Sequence, residues 1–252
     1  MNKFNCLIKS NKRINSSTFL LECVSSELAN SIKPGQFCNI RVSESYIPLL
    51  RRPFSVSDVV DDKIYFMISI HGNGTKILSD KREGDFLDIL GPLGNGFGFN
   101  ENFSLAIFVA GGIGLAPFPY LTKFLSSNVE IKSFIGARNI NELITEGMIN
   151  YSIATDDGSV GFKGNVVELL EKEYNLFNKK DIKMFACGPT PMLKAVQQFC
   201  LLNNINCEIS TESAMACGFG ICQGCPIEST EVNKMLLICK DGPVFNVKDV
   251  KL

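Results

Sequence analysis

Two rhythms divide the chain. As far as residue 98, short apolar runs of β type alternate with turn residues, at 4–9, 18–24, 37–42, 53–59, 63–70 and 85–90. Even spacing of this kind predicts a small antiparallel barrel. From about Asn102, apolar strands alternate with helical segments: 104–110 before 117–126, 130–136 before 141–146, 152–155 before 165–173, and 182–187 before 191–202. That alternation predicts βαβ units and a parallel sheet. After 207–211 the pattern breaks into a Cys- and Gly-rich segment from Cys217 to Cys225, a short strand at 234–239, and the tail Asp241-Gly242-Pro243-Val244-Phe245. The predicted fold is a β-barrel plus α/β, in three parts. These are an antiparallel barrel over 1–100, a parallel-sheet domain over 101–210 and a small C-terminal domain over 211–252.

Composition narrows the class. The chain has 252 residues, 25 Lys+Arg against 26 Asp+Glu, a net charge of -1 and 45% apolar content, the profile of an ordinary globule. Disorder and electrostatic binding of nucleic acid both fit poorly. The uncharged stretch from Asn102 to Thr122 has membrane-spanning length, but Gly111, Gly112, Gly114, Pro117 and Pro119 interrupt it. It reads as a buried strand, a tight loop and a helix start, so no membrane segment is expected. Ten cysteines behind a start without an apolar signal core point to a reducing, cytoplasmic setting.

Cys217, Cys222, Cys225 and Cys239 form C-x4-C-x2-C-x13-C, and the first three match the plant-type spacing for a [2Fe–2S] cluster held by four thiolates. Gly218, Gly220 and Gly224 lie between these ligands, where the backbone must approach sulfur and tolerate positive φ. A zinc site more often pairs two C-x2-C knuckles, and only one is present; unrelated buried thiols are the other alternative. Cys6, Cys23, Cys38, Cys187, Cys200 and Cys207 lie scattered in apolar runs and read as small core hydrophobes.

Arg51-Arg52-Pro53-Phe54-Ser55 opens a β run with a guanidinium, an aromatic face and a hydroxyl on adjacent positions. Such a set suits a flavin dinucleotide: Arg52 on the pyrophosphate, Phe54 along an aromatic or ribityl part, Ser55 at the redox edge of the ring. Downstream, Ser69-Ile70-His71-Gly72-Asn73-Gly74-Thr75 leads into a helix predicted at 76–81, whose free N–H groups offer a second grip on the pyrophosphate. Alone, the RPFS tetrapeptide is more often an edge strand carrying a solvated arginine; the Gly-Thr helix start downstream tips the reading toward a flavin. His71, the sole histidine, reads as structural or solvent-facing rather than as a base.

Val109-Ala110-Gly111-Gly112-Ile113-Gly114-Leu115-Ala116-Pro117 follows an apolar strand and precedes a helical pattern, the context of a phosphate-binding loop. It departs from G-x-G-x-x-G, since Pro117 holds the sixth position and suits a first helical turn. Cys187-Gly188-Pro189-Thr190-Pro191-Met192 again joins a strand end to a helix start. Two such loops at one edge of a parallel sheet define a ligand crevice, although each alone is also an ordinary βα turn. A nicotinamide exchanges hydride, an iron–sulfur centre passes single electrons, and a flavin bridges the two regimes. No catalytic triad or metal-binding histidine set remains in the sequence, so no catalytic residue is assigned and oxidation of an organic substrate falls to a partner.

In order, the motifs RRPFS, GNGT, GPLGNGF, AGGIGLAP, GARN, CGPTPM, ESAMACGFGICQGC and CKDGPVF resemble those of the electron-transfer subunits of NAD-linked, two-subunit (type B) dihydroorotate dehydrogenases, within the ferredoxin-reductase superfamily. The resemblance runs from about residue 4 to 246. It implies an FAD-binding barrel, an NAD-binding α/β domain and a C-terminal [2Fe–2S] domain, in a heterotetramer with two FMN-containing dihydroorotate dehydrogenase catalytic subunits. By motif, Arg52, Pro53, Phe54, Ser55, Ile68, Ser69, Ile70, Gly74 and Thr75 would bind FAD. Gly112, Gly114, Pro117, Cys187, Gly188 and Pro189 would border the nicotinamide, and Cys217, Cys222, Cys225 and Cys239 would hold the cluster. Ser69 stands where such proteins often carry a larger polar or basic side chain. Related reductase subunits of sulfide dehydrogenase, ferredoxin:NADP oxidoreductase, sulfite reductase or hydrogenase type share this layout, and a zinc-binding interaction protein is the alternative outside enzymes.

Overall fold

A computed structural model describes residues 1–177 and 181–252. The first part holds β1 (Asn2–Arg13), β2 (Thr18–Val24), α1 (Ser26–Ser31), β3 (Phe37–Arg41), β4 (Arg52–Ser55), β5 (Asp58–Val60), β6 (Lys63–Ser69), α2 (Asn73–Asp80) and β7 (Phe86–Leu93). Its seven strands form one antiparallel sheet in the order β4-β3-β7-β1-β2-β6-β5. Period-two alternation turns Cys6, Ile8, Phe19, Leu21, Cys38, Ile40, Phe66 and Ile89 inward to a common core. The sheet curls but β4 and β5 remain its two edges, so the expected barrel is a half-barrel. The apolar run at 53–59 divides at Val56 and Ser57 into those two edge strands.

The second part comprises β8 (Leu105–Gly111), α3 (Phe118–Thr122), β9 (Glu130–Ala137), β10 (Tyr151–Thr155), β11 (Phe162–Lys163), α4 (Val166–Tyr174), β12 (Ile182–Cys187), α5 (Thr190–Leu202) and β13 (Asn206–Ser210). The remainder forms β14 (Pro226–Ser229), β15 (Met235–Leu237), β16 (Val244–Asn246) and β17 (Val250–Lys251). The second sheet runs β11-β10-β9-β8-β12-β13-β16, parallel except for β16, which adds antiparallel to β13. Helices α4 and α5 cover one face over Ile107, Val109, Phe134 and Met184, while α3 covers the other over Phe108, Ile135 and Phe185. Burial on both faces explains why β8 reads as an unbroken apolar run.

The last lobe is a three-stranded sheet, β15-β14-β17. Its Cys225, Ile227, Leu237, Ile238 and Val250 belong to the same core as β8, α4 and α5. The Gln197 amide on α5 donates to the carbonyls of Val247 and Val250, each at 2.7 Å, and clamps the lobe to the sheet.

The helix expected at 141–146 is instead one tight turn, Ile140–Glu142. The Asn139 side chain caps that turn from Asn141 N–H at 3.0 Å, and Gly147 at φ 74 redirects the chain soon afterwards. The helix expected at 117–126 shortens to α3 because after Thr122 the chain closes in tighter turns, Lys123 N–H donating to the Tyr120 carbonyl at 3.3 Å and Phe124 N–H to that of Leu121 at 3.0 Å. Helix α1 has no counterpart among the expected elements; Ser25 caps it by accepting from Leu28 N–H. Among the described residues no helix is long and apolar enough to cross a membrane.

Lys183 sits inside β12 at 1% side-chain exposure, and its ammonium meets Glu101 at 2.8 Å and Glu208 at 3.1 Å. Glu208 also accepts the Gly98 N–H at 2.8 Å, so the network ties the connection between the first two parts to the second sheet. Removing one partner from a buried ionic network leaves the others uncompensated. Lys183→Ala is therefore expected to lower unfolding free energy by about 3 kcal/mol, read from urea midpoints at constant slope. A loss below about 1 kcal/mol would place the network among surface ion pairs instead.

Candidate functional site

A cleft of about 230 Å³ opens between the half-barrel and the second sheet. The half-barrel contributes Pro53, Phe54 and Ser55 from β4, Ile68 and Ser69 from β6, and Thr75 from α2. The second sheet contributes Pro117 and Cys187, at the carboxyl ends of β8 and β12. Strand order reverses between β8 and β12, and ligands of open α/β sheets bind outside the strand ends at such a switch. Residues expected to meet two different ligands thus line one space.

Arg51 and Arg52 divide their labour. Arg51 pairs with Asp88 at 2.7 Å and donates to its backbone carbonyl at 2.8 Å, fixing β4 against β7. The Arg52 guanidinium donates to the Leu50 and Arg51 carbonyls at 2.8 and 3.3 Å, with no carboxylate partner among the described residues. Its Nε lies over Gly74 at the start of α2, where an added Cβ would stand 3.4 Å away. A guanidinium beside the free N–H groups of an eight-residue helix makes a cradle for a pyrophosphate. Thr75 shapes that helix start: its hydroxyl accepts from His71 N–H at 2.9 Å and Gly72 N–H at 3.2 Å. Ile70 N–H is engaged by the Ser17 carbonyl at 2.8 Å, and the Ser69 hydroxyl lies 3.2 Å from that of Thr18.

The two βα loops are in direct contact. Gly112 turns the chain at φ 56 into open space. Gly114 is buried, and a Cβ there would overlap the Cys187 carbonyl and the Gly188 Cα. A Cβ on Gly188, at φ 159, would strike Met192 at 2.7 Å. Pro189 caps α5 with a φ of -59. These glycines therefore let the loops approach each other as well as a ligand. The Cys187 thiol is 2% exposed and raised by burial, an effect that the Glu212 charge reinforces and the Ser210 hydroxyl opposes.

The cysteine loop packs behind β3. Cys225 and Cys239 are each 2% exposed, Cys217 is half-buried and Cys222 is exposed. The cysteines fall into two pairs, Cys217 with Cys222 and Cys225 with Cys239, each joined by a backbone N–H aimed at a sulfur. Phe219 and Cys222 N–H groups donate to Cys217 Sγ, both at 3.5 Å, and Cys239 N–H donates to Cys225 Sγ at 3.4 Å. Burial opposes ionisation of Cys217, yet the N–H groups of Cys222, Phe219 and Ile221 together pull it down to about 6. Burial, with the neighbouring Cys225, pushes Cys239 up to about 12. No three His, Cys, Asp or Glu side chains among the described residues form a cage for a single ion. Paired thiols with N–H groups aimed at sulfur fit two irons sharing four thiolates better than one tetrahedral ion. Gly218 and Gly220 adopt positive φ as expected (81 and 89), but Gly224 does not; Gln223 takes that conformation at φ 58. Gly224 serves close approach instead, with the Cys222 sulfur 3.4 Å from where its Cβ would be.

Several cleft residues were not assigned to the site from the sequence, although some lie within its motifs. Phe37, Met67, His71, Ile113, Ala116, Ser210 to Ser213, Met215 and Pro243 complete the lining. Solvent reaches Glu212 from the open side, but the surrounding protein raises its carboxyl, with His71 across the cleft acting in the opposite sense. The other five scattered cysteines, Cys6, Cys23, Cys38, Cys200 and Cys207, are fully buried core residues as expected.

A curled antiparallel sheet, a sheet edge carrying glycine turns and a cysteine lobe define a ferredoxin-reductase-like redox protein. The fold aligns with a chain of the NADH-dependent reduced ferredoxin-NADP oxidoreductase at a TM-score of 0.86 and 27% identity, covering 98% of this chain and 89% of that one. A ferredoxin NADP+ reductase from Neisseria gonorrhoeae, solved with bound FAD and NADP, shares the fold at a TM-score of 0.64 and 18% identity, over 82% of this chain and 93% of that one. Residues 212–251 match the family described as the iron-sulfur cluster binding domain of dihydroorotate dehydrogenase B. The dihydroorotate dehydrogenase B (NAD(+)), electron transfer subunit of Caldanaerobacter subterraneus is 36% identical over 98% of both chains, and that of Bacillus pumilus is 38% identical over 86% of both. The chain belongs to this family of electron transfer subunits.

Gly114→Ala is expected to force the two βα loops apart at a cost of about 1–3 kcal/mol. NADH affinity should fall with it, measured by calorimetry on the flavin-loaded chain. Unchanged stability and affinity would mean that the Cys187 carbonyl moves aside freely.

Proposed function

We propose that this chain passes electrons from a dihydroorotate-oxidising catalytic subunit, by way of a [2Fe–2S] cluster and FAD, to NAD+, in pyrimidine biosynthesis. The observation that carries the reading is spatial. In a member of this family, a flavin motif and a nucleotide edge share one cleft, and a four-cysteine loop lies behind the strand that pairs with the flavin motif. FAD supplies the conversion between hydride exchange with NAD and single-electron exchange with the cluster.

The chain's own residues position and insulate. Arg52 and the start of α2, with Gly74 beneath the guanidinium, neutralise and orient the pyrophosphate. Pro53, Phe54 and Ser55, with the strand end Ile68, Ser69 and Ile70 and the turn at Thr75, bound the ring side of the flavin. Pro117 and Cys187 form the opposite wall, shaped by the turns at Gly112, Gly114, Gly188 and Pro189, where a nicotinamide can stack against the flavin from the second sheet. Cys187, held protonated by burial, presents a neutral surface there. Cys217, Cys222, Cys225 and Cys239 ligate the cluster, with Cys222 at the protein surface. That exposure suits electron entry from a partner, which the family name requires and which we assign as an FMN-containing subunit in an assembly of two copies of each. The work divides over 1–100 for FAD, 101–210 for NAD and 211–252 for the cluster, in the cytoplasm.

Two substitutions test the assignment. Cys222→Ser should abolish the iron and acid-labile sulfide content and the orotate formation of the assembled complex, while NADH oxidation by an artificial acceptor at the flavin persists. Coupled activity at the wild-type level would overturn the cluster's place in the route. Arg52→Ala should weaken FAD retention by one to two orders of magnitude, since a charge-assisted fork contributes roughly 1.5–3 kcal/mol. Stoichiometric FAD after gel filtration of that variant would remove Arg52 from the site.

A further inference from the structure

Asn39 is a buried polar residue in the middle of β3 with 1% of its surface exposed. Its neighbours Cys38 and Ile40 face the half-barrel core, whereas Phe37 and Asn39 face the cysteine lobe. The Asn39 side-chain nitrogen donates to the backbone carbonyl of Cys217 at 3.1 Å, across 178 positions of sequence. Its side-chain oxygen is buried with no partner. Exchanging nitrogen and oxygen would set two acceptors against each other at Cys217, so the amide orientation follows from the contact itself. Gly218, at φ 81, is what admits the amide: any Cβ there would lie well inside contact distance of the Asn39 nitrogen.

A half-satisfied buried amide is poorer for stability than an apolar side chain of its size, because the unpaired oxygen keeps its desolvation penalty. Core packing therefore gives no account of an asparagine here. The contact falls on the peptide that leads from a cluster cysteine into Gly218 and Phe219, and the Phe219 N–H points back at the Cys217 sulfur at 3.5 Å. Holding that carbonyl fixes the plane of the turn and hence the aim of the N–H groups at sulfur. On the other side, Asn39 is the register partner of Pro53 in β4, next to Phe54 and Ser55 at the cleft.

We propose that Asn39 is a positioning residue for the cluster: it pins the Cys217 turn to the strand beside the flavin motif, and so sets the N–H bonds to the Cys217 sulfur and the spacing of the two redox centres. Asn39 gains and loses neither proton nor electron in this role. Hydrogen bonds to cluster sulfurs raise the reduction potential, and groups that orient metal ligands typically change affinity or activity 10–100-fold when removed. The inference rests on the cluster reading above.

The test uses the full chain loaded with FAD and cluster, as wild type, Asn39→Leu and Asn39→Asp. Leu is of similar volume without a donor, and Asp has the same shape but cannot donate when ionised. Both variants should release iron about tenfold faster to a chelator, show a lower cluster midpoint potential in a spectroscopic titration, and give an altered magnetic-resonance signal of the reduced cluster. In the cluster-free chain, the Gly218 and Phe219 amides of both variants should exchange hydrogen at least tenfold faster than in wild type. FAD content should stay at the wild-type level, and Asn39→Leu should melt no lower than wild type. Unchanged potential and unchanged exchange in both variants would overturn the proposal. So would general loss of FAD and of melting temperature, which marks a structural role alone. Iron-free wild-type protein would overturn the cluster reading, while the exchange measurement would still decide whether Asn39 holds the turn.

Discussion

Phe97 stacks on Phe118 with centroids 5.9 Å apart and meets Phe185 edge-on at 5.5 Å, and Phe118 in turn stacks on Phe108 at 4.9 Å. These rings come from the connection between the first two parts, from α3, β12 and β8, and Met67 of β6 joins the same core. The cleft exists because this dry joint sets the two sheets at one separation. Interior packing is close to crystalline density and resists gradual deformation, so such a joint fixes distances that loops alone would leave loose. Polar contacts at its edge set the remaining freedom: Tyr120 OH donates to the Ile32 carbonyl at 3.2 Å, and Lys123 meets Asp58 at 2.6 Å. Both link α3 to the half-barrel rather than to its own sheet.

What the sequence discloses follows from the range of the interactions concerned. The cysteine spacing is legible because Cys217, Cys222 and Cys225, three of the four proposed ligands, lie within nine positions, and the turns between them are local backbone matters. The βα loops at Gly111–Pro117 and Cys187–Pro191 are legible for the same reason, since strand, turn and helix start are contiguous. Arg52 was separable from Arg51 by its place in the RPFS motif, although only the structure reveals that Asp88 takes up Arg51. The helix read into 141–146 does not form because, after the one turn that Asn139 caps, the backbone turns extended at Leu143 (φ -64, ψ 132).

Asn39, Phe37 and the segment Ser210–Ser213 were illegible because their roles depend on register between distant strands. A one-residue slip of β3 would turn Asn39 into the half-barrel core and Cys38 toward the cysteine lobe, and nothing within the PGQFCNIRV stretch reveals which face meets that lobe. Ser210 and Thr211 reach the cleft because β13 ends level with Cys187 of β12, and because β16 returns from beyond the cysteines to pair with β13. Thr211 is then held by the Pro243 carbonyl through both its N–H, at 2.9 Å, and its hydroxyl, at 3.1 Å.

That return strand also decides how the cysteine lobe is stabilised. Its own sheet has strands of four, three and two residues, too little to stand alone in water. Two of its four cysteines are buried where ionised thiolates are costly without a cation. The lobe nevertheless keeps its place, because Ile227, Leu237, Ile238, Val247 and Val250 share the core of the second sheet, and β16 is part of that sheet. The cysteine turn is thus hung on a scaffold held by apolar burial in the core of the second sheet. The sulfur geometry itself rests on a few backbone N–H groups and the Asn39 contact. Separating scaffold from ligand turn lets the redox environment be tuned by single hydrogen bonds without endangering the fold.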